Sequence, residues 1–117
     1  GYEAVLEALF EADAVGIGAP TLVETGIVLE ARYGEEAVAW LQQFAEEFRL
    51  TEIPFGPLHR REAVAAYVRY GRGRHKAALN YGDCLTYAVA RLAGQQLLCV
   101  GSDFALTDLE LVPERPG

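Results

Sequence analysis

A chain of 117 residues with 17 acidic and 10 basic side chains, net charge −7, fits one domain with its own core. Hydrophobic residues at 51% and charged residues at 23% are an ordinary globular balance, which excludes disordered and collagenous classes. A pI near 4.7 argues against a protein that coats nucleic acid by bulk charge.

The longest apolar runs are too short to cross a bilayer, and no basic stretch leads into an apolar one at the start. A soluble cytoplasmic protein, not a membrane one, is therefore expected. Cys84 and Cys99 sit among apolar neighbours with neither CxxC spacing nor a histidine pattern. Both read as reduced, buried, small hydrophobes rather than zinc ligands or a disulfide. Methionine is absent and residue 1 is glycine, so a segment ahead of Gly1 is expected.

In chain order, Val5, Leu6, Leu9 and Phe10 follow helical spacing, which Asp13 ends. "AVGIGAP" (14–20) predicts a short strand stopped by Pro20. From Thr21 the run Leu22, Val23, Ile27, Val28, Ala31 predicts a helix closing at Gly34. Val38, Leu41, Phe44, Ala45 and Phe48 predict a third helix, with Trp40 widening an apolar face expected to pack in the core. "LTEIPF" (50–55) alternates as a strand does, and a helix is predicted from about Pro57 to Tyr70, with Gly71 after it. A basic loop "GRGRHKAAL" leads to a helix in "NYGDCLTYAVARLAG", a buried strand "QLLCV", a turn "GSDFALTD" and a last strand "LELV" (109–112). Strands separated by helices imply an α/β/α sandwich with a mostly parallel central sheet, one domain over residues 1–117.

In such sheets, ligands gather at the carboxyl ends of the strands. Glu24 lies shortly after the first strand, Asp103 directly follows the strand at 96–100, and Asp83 falls in the first turn of its own helix. Each has a capping explanation. "TLVE" fits a capping box from Thr21 to Glu24, "NYGD" a looser one from Asn80 to Asp83, and Asp103 could cap a turn at Phe104. Taken together, converging carboxylates would raise one another's pKa values unless a cation intervened. A hard divalent ion, Mg²⁺ or Mn²⁺, takes such oxygen ligands and suits phosphodiester hydrolysis by polarising a phosphoryl oxygen and activating water.

No GxSxG, Walker loop or dinucleotide fingerprint competes with that chemistry. His59 and His75 are isolated and read as contacts rather than bases. Six of the ten cations (Arg60, Arg61, Arg69, Arg72, Arg74, Lys76) fall between residues 60 and 76, where Glu62 is the only acid. This patch reads either as RNA contact or as a solvated face. Tyr81 and Tyr87 read either as base-stacking groups or as packed side chains.

"RHKAALNYGDCLTYAVARLAGQQLLCVGSDFALTDLEL", with "APTLVETGIVLEARYG" upstream, resembles PIN-domain proteins, in particular VapC-like toxins of bacterial toxin–antitoxin pairs. The resemblance covers nearly all of the chain. It implies a metal-dependent endoribonuclease, a hydrolase that cuts RNA, commonly a homodimer, and silenced by a cognate antitoxin. By motif, Glu24 in "LVET", Asp83 in "YGDC" and Asp103 in "GSDF" would be catalytic and metal-binding. Asp108 in "LTD" would be a further metal acid, with Thr107 as its polar neighbour toward the substrate; on the RNA-contact reading of the basic patch, Arg72, Arg74 and Lys76 are the residues that would hold the RNA backbone.

The resemblance also implies a first strand ending in an aspartate, and the residues ahead of "GYEAVLEALF" are expected to carry it. Two other functions share these residues: a non-catalytic PIN-like module that binds a protein through the acidic cleft, and a PIN-type nuclease acting on DNA.

Overall fold

The computed structural model of the chain describes residues 2–12, 14–94, 97–98 and 104–112. The elements are α1 (Tyr2–Glu11), β1 (Val15–Gly18), α2 (Ala19–Tyr33), α3 (Glu35–Glu47), β2 (Leu50–Ile53), α4 (Pro57–Tyr70), α5 (Tyr81–Ala93), β3 (Leu97–Leu98) and β4 (Leu111–Val112). Every predicted helix and strand therefore has a counterpart at its place in the chain. Cys99 and Asp103 lie outside the described residues.

Both ladders are parallel. β1 pairs with β2 from Val15 opposite Leu50 to Gly18 opposite Ile53, and β3 pairs with β4 through Leu97–Leu111 and Leu98–Val112. Parallel partners need a crossover, and α2 with α3 provides it between β1 and β2.

The core lies between α4 and α5. Ala63, Ala66 and Tyr70 of α4 meet Cys84, Tyr87 and Ala88 of α5, with Leu79 and Phe104 closing the cluster. Alanines on the facing stripes keep the side-chain layer thin, so the two helices lie close and the larger Leu79 and Tyr87 fill the remaining space. Both of these are completely buried. Burying a side chain of that size stabilises by roughly 1.5–3 kcal/mol.

Two expectations need correction. Pro20 does not stop a strand ahead of a helix at Thr21; α2 starts at Ala19, straight off β1, with Gly18 as its N-cap. Proline's fixed φ and missing N–H suit a first helical turn, where no intrahelical bond is lost. Trp40 does not pack in a core either. It is 56% exposed, stacked on Phe44 at 5.3 Å, while Phe44 lies 4.6 Å from Phe48. Val23, Ile27 and Val28 of α2 are also exposed, because α2 packs on α3 and α5 through other parts of its surface.

Candidate functional site

α2 and α5 run past each other through three contacts in register. A Cβ on Gly18 would stand 2.8 Å from Val89 Cγ2, so the end of β1 approaches α5 as only glycine allows. One turn on, Thr21 Oγ1 lies 3.3 Å from Thr86 Oγ1. Another turn on, Glu24 Oε2 lies 3.4 Å from where a Cβ of Gly82 would be. Residues 82, 86 and 89 form one stripe of α5, which residues 18, 21 and 24 follow in the opposite sense. This pairing carries the Glu24 carboxylate to the first turn of α5, against Gly82, the residue before Asp83.

The capping reading of Glu24 falls away. With Gly18 as N-cap, Thr21 sits inside the helix and Glu24 in its second turn, too far along to return to the cap. The capping reading of Asp83 holds: Asn80 N–H donates to Asp83 Oδ2 at 3.0 Å, and Asp83 N–H donates to Asn80 Oδ1 at 2.8 Å. The box fixes the carboxylate's orientation through Oδ2, and among the described residues no hydrogen bond engages Oδ1.

Neither Glu24 nor Asp83 is ion-paired among the described residues. Their donor atoms are hard oxygens near a helix N-terminus, and the sulfur next along the chain from Asp83, that of Cys84, is buried. Burial first, and then the Asp83 charge, pushes its thiol up, so it stays a neutral core group. The donor set fits Mg²⁺ or Mn²⁺ better than a soft metal. Among the described residues no three ligating side chains converge; Asp103, the third acid expected, lies outside them.

Asp108 is placed otherwise. Tyr87 hydroxyl donates to its Oδ1 at 2.6 Å, while Oδ2 lies 3.6 Å from Arg69 Nη2 and 4.0 Å from Arg91 Nε. The Tyr87 bond foremost, with both guanidiniums, holds this carboxyl below its usual range despite the opposing effect of burial. Its charge is already compensated by protein groups. Thr107 is engaged in its own turn, donating to Phe104 O at 2.7 Å and accepting from Leu109 N–H at 3.4 Å.

Arg72, Arg74 and Lys76 are exposed on a loop with a defined backbone. Arg72 N–H donates to Leu79 O at 3.0 Å and Leu79 N–H to Tyr70 O at 2.9 Å, so the buried Leu79 anchors the loop to α4. The Arg74 guanidinium lies over the Tyr67 ring at 5.2 Å. Both histidines act locally: His59 Nδ1 accepts from Gly56 N–H at 3.1 Å and His75 Nδ1 from Ala77 N–H at 3.0 Å.

Of the two tyrosines with open readings, Tyr87 is packed and Tyr81 is exposed. Sequence reasoning passed over Gly18, Gly82 and Thr86. The two glycines were the available signal, since a glycine at a strand end or in a helix marks a close approach.

Comparisons with known proteins identify the family. The PIN domain matches residues 1–109. The chain belongs to the PIN-domain family. It is 46% identical to ribonuclease VapC36 of Mycobacterium tuberculosis over 106 residues, 91% of this chain and 76% of that protein. It is 40% identical to ribonuclease VapC30 of the same species over 111 residues, 91% of this chain and 82% of that protein. It is 42% identical to ribonuclease VapC of Mycolicibacterium smegmatis over 90 residues, 77% of this chain and 70% of that protein. Membership in the PIN family carries the expected α/β/α sandwich, to which the two parallel ladders and the α2–α3 crossover of the first conform. Among the described residues of this PIN domain, no helix is long and apolar enough to cross a membrane.

Proposed function

We propose that the chain is a VapC-like endoribonuclease toxin that hydrolyses RNA phosphodiester bonds at the meeting of α2 and α5. The observation that carries this reading is the approach of Glu24 to the first turn of α5, where Asp83 sits, with no cap to explain it. PIN-family membership and relatives named as VapC ribonucleases support it.

Glu24, Asp83 and Asp103 would hold a divalent cation, Mg²⁺ or Mn²⁺. When bound, that ion supplies Lewis-acid polarisation of a phosphoryl oxygen and lowers the pKa of water. The Asn80 box holds Asp83 in one orientation, so the site is arranged before substrate arrives. Arg72, Arg74 and Lys76 bind the RNA backbone, and their charges keep a polyanion near an acidic cleft. Asp108 fastens the 104–108 turn to α5 through Tyr87, steadying the segment that leads on from Asp103. A cognate antitoxin silences the enzyme, and the working form is a cytoplasmic homodimer.

Glu24→Gln is the clean test, because Glu24 is exposed and has no capping role. Cleavage of structured RNA in Mn²⁺ should disappear with EDTA and fall about a hundredfold or more in Glu24→Gln, as for a lost metal contact. Its thermal midpoint should match the unsubstituted protein. Asp83→Asn should lose activity as well, together with some stability from the disturbed cap. Cleavage that survives both chelation and Glu24→Gln would rule out the metal-carboxylate mechanism.

A further inference from the structure

We propose that the cleft between α4 and α5 receives one unstacked base of single-stranded RNA, with Tyr81 as its stacking platform, beside the phosphate held at the acidic site. The proposal rests on the ribonuclease reading and adds to it a subsite for the base.

The cleft has a volume of about 450 Å³ and is bounded by Phe55, by Arg60 and Tyr67 of α4, and by Tyr81, Cys84 and Leu85 of α5. That is a ligand-sized cavity. Its wall is almost wholly apolar, with three aromatic rings in it. Tyr81 is 80% exposed, so its ring contributes little to folding. It is the first residue of α5, two before Asp83, which is about 3 Å along the helix axis. Cys84, next to Asp83, belongs to the same wall. Cleft and acid thus share one helical turn.

The polar surroundings select the occupant. Arg60 is the charged residue in the wall, and the Arg74 guanidinium lies 5.2 Å above Tyr67, with Arg72 and Lys76 exposed on the same loop. An apolar aromatic cavity flanked by cations suits a flat ring joined to an anionic backbone. A nucleotide strand has both parts. Single-stranded RNA is bound by stacking unpaired bases on aromatic and guanidinium planes while basic groups follow the phosphates. A two-fold contact of two copies centred on this cleft would set the same cations against each other, and like charges would oppose it.

Binding of labelled single-stranded RNA of mixed sequence is followed by fluorescence anisotropy, with EDTA present and Glu24→Gln in every protein so that no strand is cut. Adding Tyr81→Ala should weaken binding about tenfold, a single base's stacking contribution, while Tyr81→Phe should bind as before. An otherwise identical abasic strand should bind more weakly and be indifferent to residue 81. Arg74→Ala should weaken binding of both strands and flatten the salt dependence.

Equal affinity of Tyr81→Ala and its parent for base-bearing RNA overturns the base subsite. That holds equally if Tyr81→Ala instead loses self-association in sedimentation or loses binding of an acidic helical peptide, which would assign the cleft to a second copy or to a protein partner. If the protein with Glu24 intact neither binds nor cleaves RNA in Mn²⁺, the ribonuclease reading fails and the subsite with it. Cleavage by that protein with unchanged affinity in Tyr81→Ala removes the subsite alone.

Discussion

The α4–α5 half and the α2–α3 half are built from helices of similar length, 14 and 13 residues against 15 and 13, yet only the first buries side chains. α4 and α5 bury eight between them, Ala63, Ala66 and Tyr70 with Cys84, Tyr87, Ala88, Val89 and Ala90, whereas α2 and α3 bury none. Asp83 therefore stands on the well-buried half, and Glu24 on a helix that buries no side chain and packs on α3, the first ladder and α5. Stability and site geometry are separable in this molecule. A substitution inside the α4–α5 core should unfold it, while one at the α2–α5 contact should move Glu24 before it unfolds anything.

The largest contrast should come from truncating one large side chain in each half. Leu79→Ala empties a fully buried position and should cost about 2–5 kcal/mol in denaturant unfolding. Trp40→Ala removes a larger side chain that is 56% exposed and should cost under about 1 kcal/mol beyond its stacking on Phe44. Comparable losses would mean that α3 is more deeply embedded than its exposure indicates.

Gly18→Ala tests the contact between the halves. The new methyl would meet Val89 Cγ2 at 2.8 Å, and Val89 is buried, so α2 and α5 must separate or Val89 must change rotamer. Overpacking of this kind costs about 1–3 kcal/mol. Because Gly18 heads the helix that carries Glu24, RNA cleavage should fall even at temperatures where the variant stays folded. Adding Val89→Ala makes room for the methyl and should recover part of both losses. A double variant that behaves as the simple sum would show that the two positions do not compete for space.

The same division explains what could be read from the sequence. Element types were legible because each helix carries its own 3.6-residue pattern and each strand its own short apolar run. The acids were legible as a group through the rule for strand ends, and PIN membership through "LNYGDCLTYA". Burial was less so. The α3 pattern marks an apolar face without saying what covers it, so Trp40 looked like core. Pro20 suits either the end of a strand or the first turn of a helix, and the choice moved the start of α2 by two residues and made Glu24 look like a cap residue. The Asp108 contacts come from Arg69 and Tyr87, far off in sequence, and no local pattern announces such pairing. Gly18 and Gly82 were visible, but only the partner helix gives them meaning.

The smallest effect lies where the 104–108 turn joins the well-buried half. Tyr87→Phe keeps the buried ring and removes the hydrogen bond to Asp108. Since Asp108 remains partly open to water, the loss should be about 1 kcal/mol near pH 7. The folded state holds the Asp108 carboxyl below its usual range, so the bond's contribution is present above about pH 4 and is lost as the pH falls further. Burial, and then the bond to Asp108, raises the Tyr87 phenol above its ordinary value, so the contribution persists up to about pH 10 and declines as the pH rises beyond it. Unfolding curves of the two proteins should stay parallel between those limits, converge on acidification, and close and then cross on strong alkalinisation, because only the unsubstituted protein has a buried phenol that ionises on unfolding. A difference that instead grows on acidification would mean that the Tyr87 bond favours the protonated form of Asp108 and not its carboxylate.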